Sequence, residues 1–229
     1  MKLSIIIPCF NEENTIDIII KKVLNYSSNK KEIIIVDDCS TDKTVEKINK
    51  YIKNKEITLL KNSKNSGKGF CIREALKIIT GDIVLIQDAD LEYDPKDYKK
   101  LINPILIDVA DVVYGSRFIG SEPRRKIYYI NKIGNYFLTF LSNIFTNLDL
   151  TDMETCYKAV KTEKIKQIIL KENRFGFEPE ITAKLAKIKC RFYEIGISYY
   201  GRTYEEGKKI RFKDAVRAIY CILRYNFFS

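Results

Sequence analysis

Asp88 and Asp90 follow the apolar run Ile83-Val84-Leu85-Ile86 and stand two residues apart. Four apolar residues bounded by Gly81-Asp82 and by acids read as a buried strand. At the C-terminal edge of an open parallel sheet, where ligands bind, two carboxylates this close repel each other. A hard divalent cation, Mg2+ or Mn2+, neutralises such a pair, and it commonly arrives with a diphosphate. Asp-x-Asp alone is a common tripeptide pattern, so its neighbours decide its meaning.

Stepping outward, apolar runs at 3–7, 33–36, 57–60, 83–86 and 112–114 read as strands. Helical patterns fall between them at about 12–26, 41–55, 69–79 and 95–107. Strand alternating with helix at this spacing predicts an α/β fold with a mostly parallel sheet and crossover helices. The first strand stops at Pro8, with Asn11 placed to cap the helix opening at Glu12-Glu13. Ser40 or Thr41 caps the second helix. The strand ends then carry Asn11/Glu12, Asp37/Asp38, Asp88/Asp90 and Gly115-Ser116-Arg117. Each is an ordinary turn former by itself; several on one sheet edge make a site.

The stretches Ile-Ile-Pro-Cys-Phe-Asn-Glu-Glu-Asn (6–14), Val-Asp-Asp-Cys-Ser-Thr-Asp (36–42) and Asn-Ser-Gly-Lys-Gly (65–69) occur in order. Asp-Ala-Asp-Leu-Glu (88–92), Gly-Ser-Arg-Phe (115–118) and Asp-Met-Glu-Thr-Cys-Tyr-Lys (152–158) follow. Together they resemble the family 2 glycosyltransferases of GT-A fold over residues 3–210. The nearest subgroup is the dolichyl-phosphate mannose synthases and the polyprenyl-phosphate glucosyltransferases. The resemblance implies one GT-A domain over 1–229. A nucleotide-sugar-binding half runs to about residue 120, an acceptor half covers about 121–210, and an amphipathic tail occupies 211–229.

The resemblance also assigns roles. Pro8, Glu12 and Asp38 match base and ribose contacts, and a carboxylate can accept from ring N–H groups or ribose hydroxyls. Glu12 has a plainer reading as a first-turn acid favoured by the helix dipole. Gly67-Lys68-Gly69 lacks the full phosphate-loop pattern, but Lys68 can reach nucleotide or phosphate. Asp88 and Asp90 match the metal-binding pair. Glu92 stands where many relatives carry Gln, which keeps an oxygen ligand and adds charge. Arg117 matches a phosphate-binding arginine, suited to bidentate contact.

Asp152, with Asp90, makes up the implied catalytic pair. Asp152 would be a general base toward a hydroxyl acceptor, or would stabilise developing charge when the acceptor is an ionised phosphate. Its plainer reading is a helix N-cap, and Glu154 is its neighbouring rival. Residues 202–209 resemble the loop that closes on the diphosphate, making Arg202, Lys208 and Lys209 phosphate ligands. The implied reaction is inverting transfer of a hexose from a UDP- or GDP-sugar to a polyprenyl phosphate. The alternative acceptor is a sugar hydroxyl in glycan assembly.

Composition agrees with a folded soluble protein: 45% hydrophobic and 31% charged residues. The formal charge of +10 is unevenly placed. Residues 1–120 carry 19 Lys/Arg against 18 Asp/Glu, whereas 121–229 carry 21 against 12. A basic second half suits an anionic partner such as a phosphate or a membrane surface. Basic charge alone also suggests a nucleic-acid binder, but no binding motif supports it. Six scattered cysteines and no histidine exclude a zinc pattern and a catalytic histidine. The absence of a signal-peptide pattern predicts a reduced, cytoplasmic compartment, at the inner face of a membrane if the acceptor is a lipid.

Ile130, Ile133, Phe137, Leu141 and Ile144 make one apolar helical face, preceded by Arg124-Arg125-Lys126. A second amphipathic stretch interleaves Arg211, Lys213, Arg217 and Arg224 with Phe212, Ile219, Ile222, Leu223 and Tyr225. Such helices lie in a membrane interface or dock on their own core. The tail with Phe227-Phe228 suits a lipid surface or a contact between copies of the chain better than water.

Overall fold

The computed structural model describes residues 1–27, 30–125, 128–203, 205–206 and 212–228. Its elements, in chain order, begin with β1 (Leu3–Cys9), α1 (Ile16–Asn25), β2 (Lys31–Asp37), α2 (Thr44–Asn49) and β3 (Ile57–Lys61). They continue with α3 (Lys68–Leu76), β4 (Ile83–Ile86), α4 (Tyr98–Leu106), β5 (Val112–Ser116) and α5 (Tyr129–Thr146). The last are β6 (Lys158–Lys161), α6 (Thr162–Ile165), α7 (Phe177–Lys187), β7 (Phe192–Gly196) and α8 (Phe212–Phe227). The seven strands form one sheet in the order β3-β2-β1-β4-β6-β5-β7. β6 runs antiparallel to both its neighbours, and every other pairing is parallel. The α/β fold with a mostly parallel sheet is therefore as expected, with one central strand reversed.

The chain winds from β1 outward through β2 and β3, then returns to place β4 on the other side of β1. That reversal makes the crevice between the C-terminal ends of β1 and β4 a switch point, the usual ligand position in such sheets. Pro8 belongs to β1, paired with Val36. Ile6 accepts from Gln87 N, so residues 6 and 8 face β4. β4 has already ended at Ile86, and the missing N–H of Pro8 costs no ladder bond.

The helix starts differ from expectation. α1 begins at Ile16 rather than near Glu12, and Asn11 does not cap it. Asn11 sits at φ 50°, with its Oδ1 accepting from Thr41 N at 2.8 Å. α2 is short, and Asp42 rather than Ser40 or Thr41 accepts from its first N–H, that of Thr44, at 2.9 Å. The polar side chains that looked like caps instead tie the loops after β1 and β2 to each other.

α3 sets the floor of one wall. Gly67 opens it at φ 100°, a backbone region that favours glycine. Phe70 N donates to Asn173 O at 3.1 Å, and Arg73 Nη1 donates to Glu172 O at 2.5 Å. A Cβ on Gly69 would lie 2.3 Å from Glu172 O. We expect Gly69→Ala to push α3 off the 172–173 backbone and lower unfolding free energy by about 1–3 kcal/mol. Urea titration measures this, and a loss within experimental error would mean the approach is not that close.

Candidate active site

A cavity of about 1070 Å³ opens at the C-terminal edge of the sheet. Pro8, Glu12, Asp38, Lys68, Asp88, Asp90, Glu92, Arg117 and Arg202 all border it. Lys208 and Lys209, and Lys126 and Arg211 near the helices, lie outside the described residues.

The turn after β4 is rigid. Gln87 is fully buried; its Oε1 accepts from Tyr98 and Tyr157 hydroxyls, both at 2.6 Å, and its Nε2 donates to Asp88 O at 2.8 Å. Asp88 Oδ1 meets Lys68 Nζ at 3.0 Å, and the same ammonium meets Glu178 Oε1 at 3.0 Å. Burial opposes the Lys68 charge, but Asp88 and Glu178 keep it protonated, well above the ordinary lysine value. Asp90 Oδ2 accepts from Arg202 Nη2 at 2.9 Å. Arg202 also contacts Glu12 Oε2 at 3.2 Å, and its backbone N donates to Glu92 Oε1 at 2.8 Å. Tyr199 OH donates to the other Glu92 oxygen at 3.0 Å. Glu92 therefore anchors the 199–202 segment instead of standing beside Asp90 as a free ligand.

Burial, with the charges of Asp88 and Glu92, pushes Asp90 up to about 7 even though Arg202 opposes the shift. The acid cluster is thus short of positive charge. Among the described residues no three acids surround one point as a metal cage. A Mg2+ or Mn2+ that comes with a diphosphate takes one or two carboxylates and fills its other positions with phosphate and water. Asp88 and Asp90 fit that mode.

Asp38 is engaged by its own loop: Oδ1 accepts from Ser66 N and Asn62 Nδ2, both at 2.8 Å, and Oδ2 from Gly67 N at 2.7 Å. It shapes the loop that leads to Lys68.

Asp152 is fully buried. Arg117 grips it bidentately, Nε to Oδ2 and Nη2 to Oδ1, each at 2.7 Å. Arg117 N adds a contact at 3.0 Å and Asn135 Nδ2 one at 2.9 Å. Glu194 on β7 holds the turn, accepting from Thr151 N and Asp152 N. With four donors on its oxygens, Asp152 does not itself border the cavity, whereas its partners Arg117 and Asn135 do. Its neighbour Glu154 does border the cavity, with Oε1 buried and without a hydrogen-bond partner among the described residues. Burial, then the charge of Glu178, push Glu154 up to about 8.

Sequence reasoning missed Glu178 and α7 altogether. Their signal was a helix with acids in its first turn and lysines in its last, matched to the helix dipole. Periodicity hid it because α7 is buried on most faces. Arg174, also missed, borders the cavity and donates to Asn65 Oδ1 at 2.9 Å.

The sequence profile of glycosyl transferase family 2 matches residues 4–169. The chain belongs to glycosyl transferase family 2. It is 27% identical over 238 residues to the dolichol-phosphate mannosyltransferase of Pyrococcus furiosus, covering 99% of this chain and 65% of that protein. It is 26% identical over 214 residues to the dodecaprenyl-phosphate galacturonate synthase of Rhizobium johnstonii, covering 91% of this chain and 62% of that protein. The chain thus spans somewhat under two thirds of the length of these two transferases. It spans 93% of an uncharacterised protein of Methanocaldococcus jannaschii, at 28% identity over 232 residues and 96% of this chain. In fold it is similar to glucosyl-3-phosphoglycerate synthase of Mycobacterium tuberculosis, crystallised with Mn2+, UDP and phosphoglyceric acid. That match has a TM-score of 0.79 at 17% identity and covers 100% of this chain and 79% of that one. The family 2 membership and the GT-A fold make this protein a glycosyltransferase, with relatives named for sugar transfer to polyprenyl phosphates.

The two acids of the 152–154 turn should separate in stability. Asp152→Asn leaves the buried Arg117 charge without its carboxylate and should cost about 3 kcal/mol. Glu154→Gln removes no hydrogen bond and should stay within about 0.5 kcal/mol of the parent. Urea unfolding of both variants checks this; equal losses would show that the Arg117 grip contributes nothing special.

Proposed function

We propose that this family 2 enzyme moves a hexose from a UDP- or GDP-sugar to a polyprenyl phosphate, with inversion at the anomeric carbon and a Mg2+ or Mn2+ on the donor diphosphate. The observation that carries the acceptor class is where the cavity leads. Ile130 and Tyr136 of α5 line its mouth. The same helix exposes Ile130 (81%), Ile133 (50%), Phe137 (54%), Phe140 (63%) and Ile144 (57%) along one stripe. The apolar face read from the sequence therefore points outward except at Leu141; Leu138, Thr139 and Ser142 face inward. α8 docks on the core through Ala218, Cys221, Ile222 and Tyr225. Its Phe227 ring lies 5.0 Å from Phe145 of α5, extending the exposed stripe to Phe228 (84%). No helix among the described residues is long and apolar enough to cross a membrane. An apolar stripe beside Arg124, Arg125, Lys132 and Lys213 at the cavity suits peripheral contact with an anionic lipid surface.

In this reading the two halves of the chain divide the work. Asp88 and Asp90 would hold the metal, which would supply charge neutralisation for the donor diphosphate. Glu12, Asp38 and Pro8 border the space for base and ribose. Arg202, now on Asp90 and Glu12, would be a cationic contact for the diphosphate. Lys208 and Lys209 belong to the same proposed grip. Arg117, oriented by Asp152, faces the acceptor phosphate. Asp152 then serves as a positioning residue. A phosphate acceptor is already ionised and needs no base, so the engagement of Asp152 supports this acceptor over a sugar hydroxyl, which would have to lose a proton.

Purified protein incubated with Mn2+, a short polyprenyl phosphate and UDP-glucose, UDP-N-acetylglucosamine or GDP-mannose should yield a polyprenyl-phosphate sugar by mass spectrometry. Chelation should abolish the product, and Asp90→Ala should slow transfer about a hundredfold or more. Donor binding without any such product would move the assignment to a hydroxyl acceptor. Sedimentation with vesicles containing anionic lipid should recover the parent, and Phe137→Glu with Phe140→Glu should release it. Undiminished sedimentation of that variant would remove α5 from the lipid contact.

A further inference from the structure

A long, rotamer-rich arginine is placed only as well as the groups that grip it. Asp152 takes the Arg117 Nε and Nη2 at 2.7 Å each. The ring centres of Tyr199 and Phe118 lie 5.3 and 5.6 Å from the guanidinium carbon. Asp152 itself belongs to no helix or strand, so its own place needs an anchor.

Glu194 on β7 supplies the anchor. Its Oε1 accepts from Asp152 N at 3.0 Å, and its Oε2 accepts from Thr151 N and Thr151 Oγ1, both at 2.9 Å. An ionised carboxylate accepts and cannot donate, so the Thr151 hydroxyl proton points to Glu194. Thr151 Oγ1 then accepts from Ser116 Oγ, 2.6 Å away, and Ser116 Oγ accepts from Phe118 N at 3.0 Å. The direction of both hydroxyl bonds follows from the charge at Glu194. Ser116 and Phe118 are the residues on either side of Arg117. One carboxylate thus reaches Arg117 by two routes: to its counter-ion through Asp152 N, and to its flanking backbone through Thr151 and Ser116. A neutral amide at this place would also accept from an N–H, but its own NH2 would donate, and the hydroxyl directions would be lost. Glu194 lies on an edge strand, in register with Tyr114 of β5, and beyond the residues 4–169 that the family profile matches.

We propose that Glu194 is a positioning residue for glycosyl transfer: through the Thr151–Asp152 turn and the Ser116 hydroxyl it holds the Arg117 guanidinium where the acceptor phosphate docks. This inference rests on the acceptor reading above and adds a residue that governs the acceptor side without bordering the cavity. Among the described residues its hydrogen bonds go to Thr151 and Asp152 alone. Lys68, Asp88 and Asp90 are held by other partners, so the donor side is independent of it. A group misplaced by about 1 Å costs up to about a hundredfold in rate, and an anchor two bonds away from the arginine acts within that range.

The test is steady-state transfer from whichever of UDP-glucose, UDP-N-acetylglucosamine and GDP-mannose the parent uses to a short polyprenyl phosphate. kcat and KM are resolved for donor and acceptor, and melting temperature confirms folding. Glu194→Gln should lower kcat/KM for the acceptor about tenfold or more, mainly through acceptor KM. Calorimetric affinity for UDP or GDP with Mn2+ should stay within about twofold of the parent. Thr151→Val keeps the N–H groups and removes the hydroxyl link, so it should give a smaller loss on the same side, which Thr151→Ser recovers. In an Arg117→Lys background Glu194→Gln should cost nothing further, because residues that act as a unit are not additive. Unchanged acceptor kinetics in Glu194→Gln, equal weakening of donor and acceptor, or a loss that adds to that of Arg117→Lys overturns the assignment. Should Glu194→Gln fail to fold, equal activity of Thr151→Val and Thr151→Ser overturns it instead. A parent that binds nucleotide yet makes no polyprenyl-phosphate sugar overturns the acceptor reading and this role with it.

Discussion

Compensating acidic charge at a single sheet edge is the constraint on which the rest of this structure depends. Glu12, Asp88, Asp90, Glu92, Asp152 and Glu178 converge where β1, β4 and β5 end, and buried and half-buried carboxylates so placed cannot all remain ionised without partners. The chain answers most of them from within. Lys68 bridges Asp88 and Glu178, Arg202 spans Glu12 and Asp90, and Arg117 closes on Asp152. The answer is incomplete at Asp90, pushed up to about 7 by burial and its acidic neighbours, and at Glu154, whose buried oxygen has no partner among the described residues. These two deficits differ in kind. The first calls for positive charge, the second for a hydrogen-bond donor.

The far end of the chain is wired into this edge. Glu172 accepts from Arg217 Nη2 at 2.8 Å and from Tyr225 OH at 2.8 Å, both on α8. Its own carbonyl receives Arg73 and abuts Gly69. α8 therefore bears on α3 through one residue, and α3 begins with Lys68. Glu180 secures the same loop, accepting from Lys171 N and Glu172 N at 2.7 Å each. A helix whose outer side is apolar and aromatic is thus mechanically joined to Lys68 at the wall of the cavity. In the proposed reading, contact at the lipid side and occupancy at the nucleotide side share a rigid path.

The sequence was most legible where one force dominated. β1, β2 and β4 carry runs of buried Ile, Val and Leu, and burial alone names them. β6 was illegible because its central position is taken by Lys158-Ala-Val-Lys161, with a lysine fully buried by donating to carbonyls of the preceding turn. β7 is half-exposed and mixes Tyr and Glu, so no run marks it. Loop ends failed for another reason: Asn11 and Ser40 have the chemistry of caps, but cross-loop partners compete for them and win. The acids of the cavity were readable from motif order, whereas their state of engagement was not. Nothing in Asp-Met-Glu says that Asp152 is locked beneath Arg117 while Glu154 faces the space. That distinction depends on Asn135 and Glu194, distant in sequence and brought together only by the sheet order.

α5 shows how one helix serves two environments. Asn135 turns inward to Asp152 and Thr139 Oγ1 accepts from Met153 N at 3.1 Å, so its inner side holds the turn that orients Arg117. The outer side is the exposed stripe from Ile130 to Ile144. A lipid phosphate approaching along that stripe would meet the arginine at the depth where the helix places it, its charge already formed and its chain left in the apolar layer. Such an acceptor asks the protein for a fixed cation and an oriented sugar, not for a base. A carboxylate spent on aiming Arg117 is then better used than one left free to take a proton.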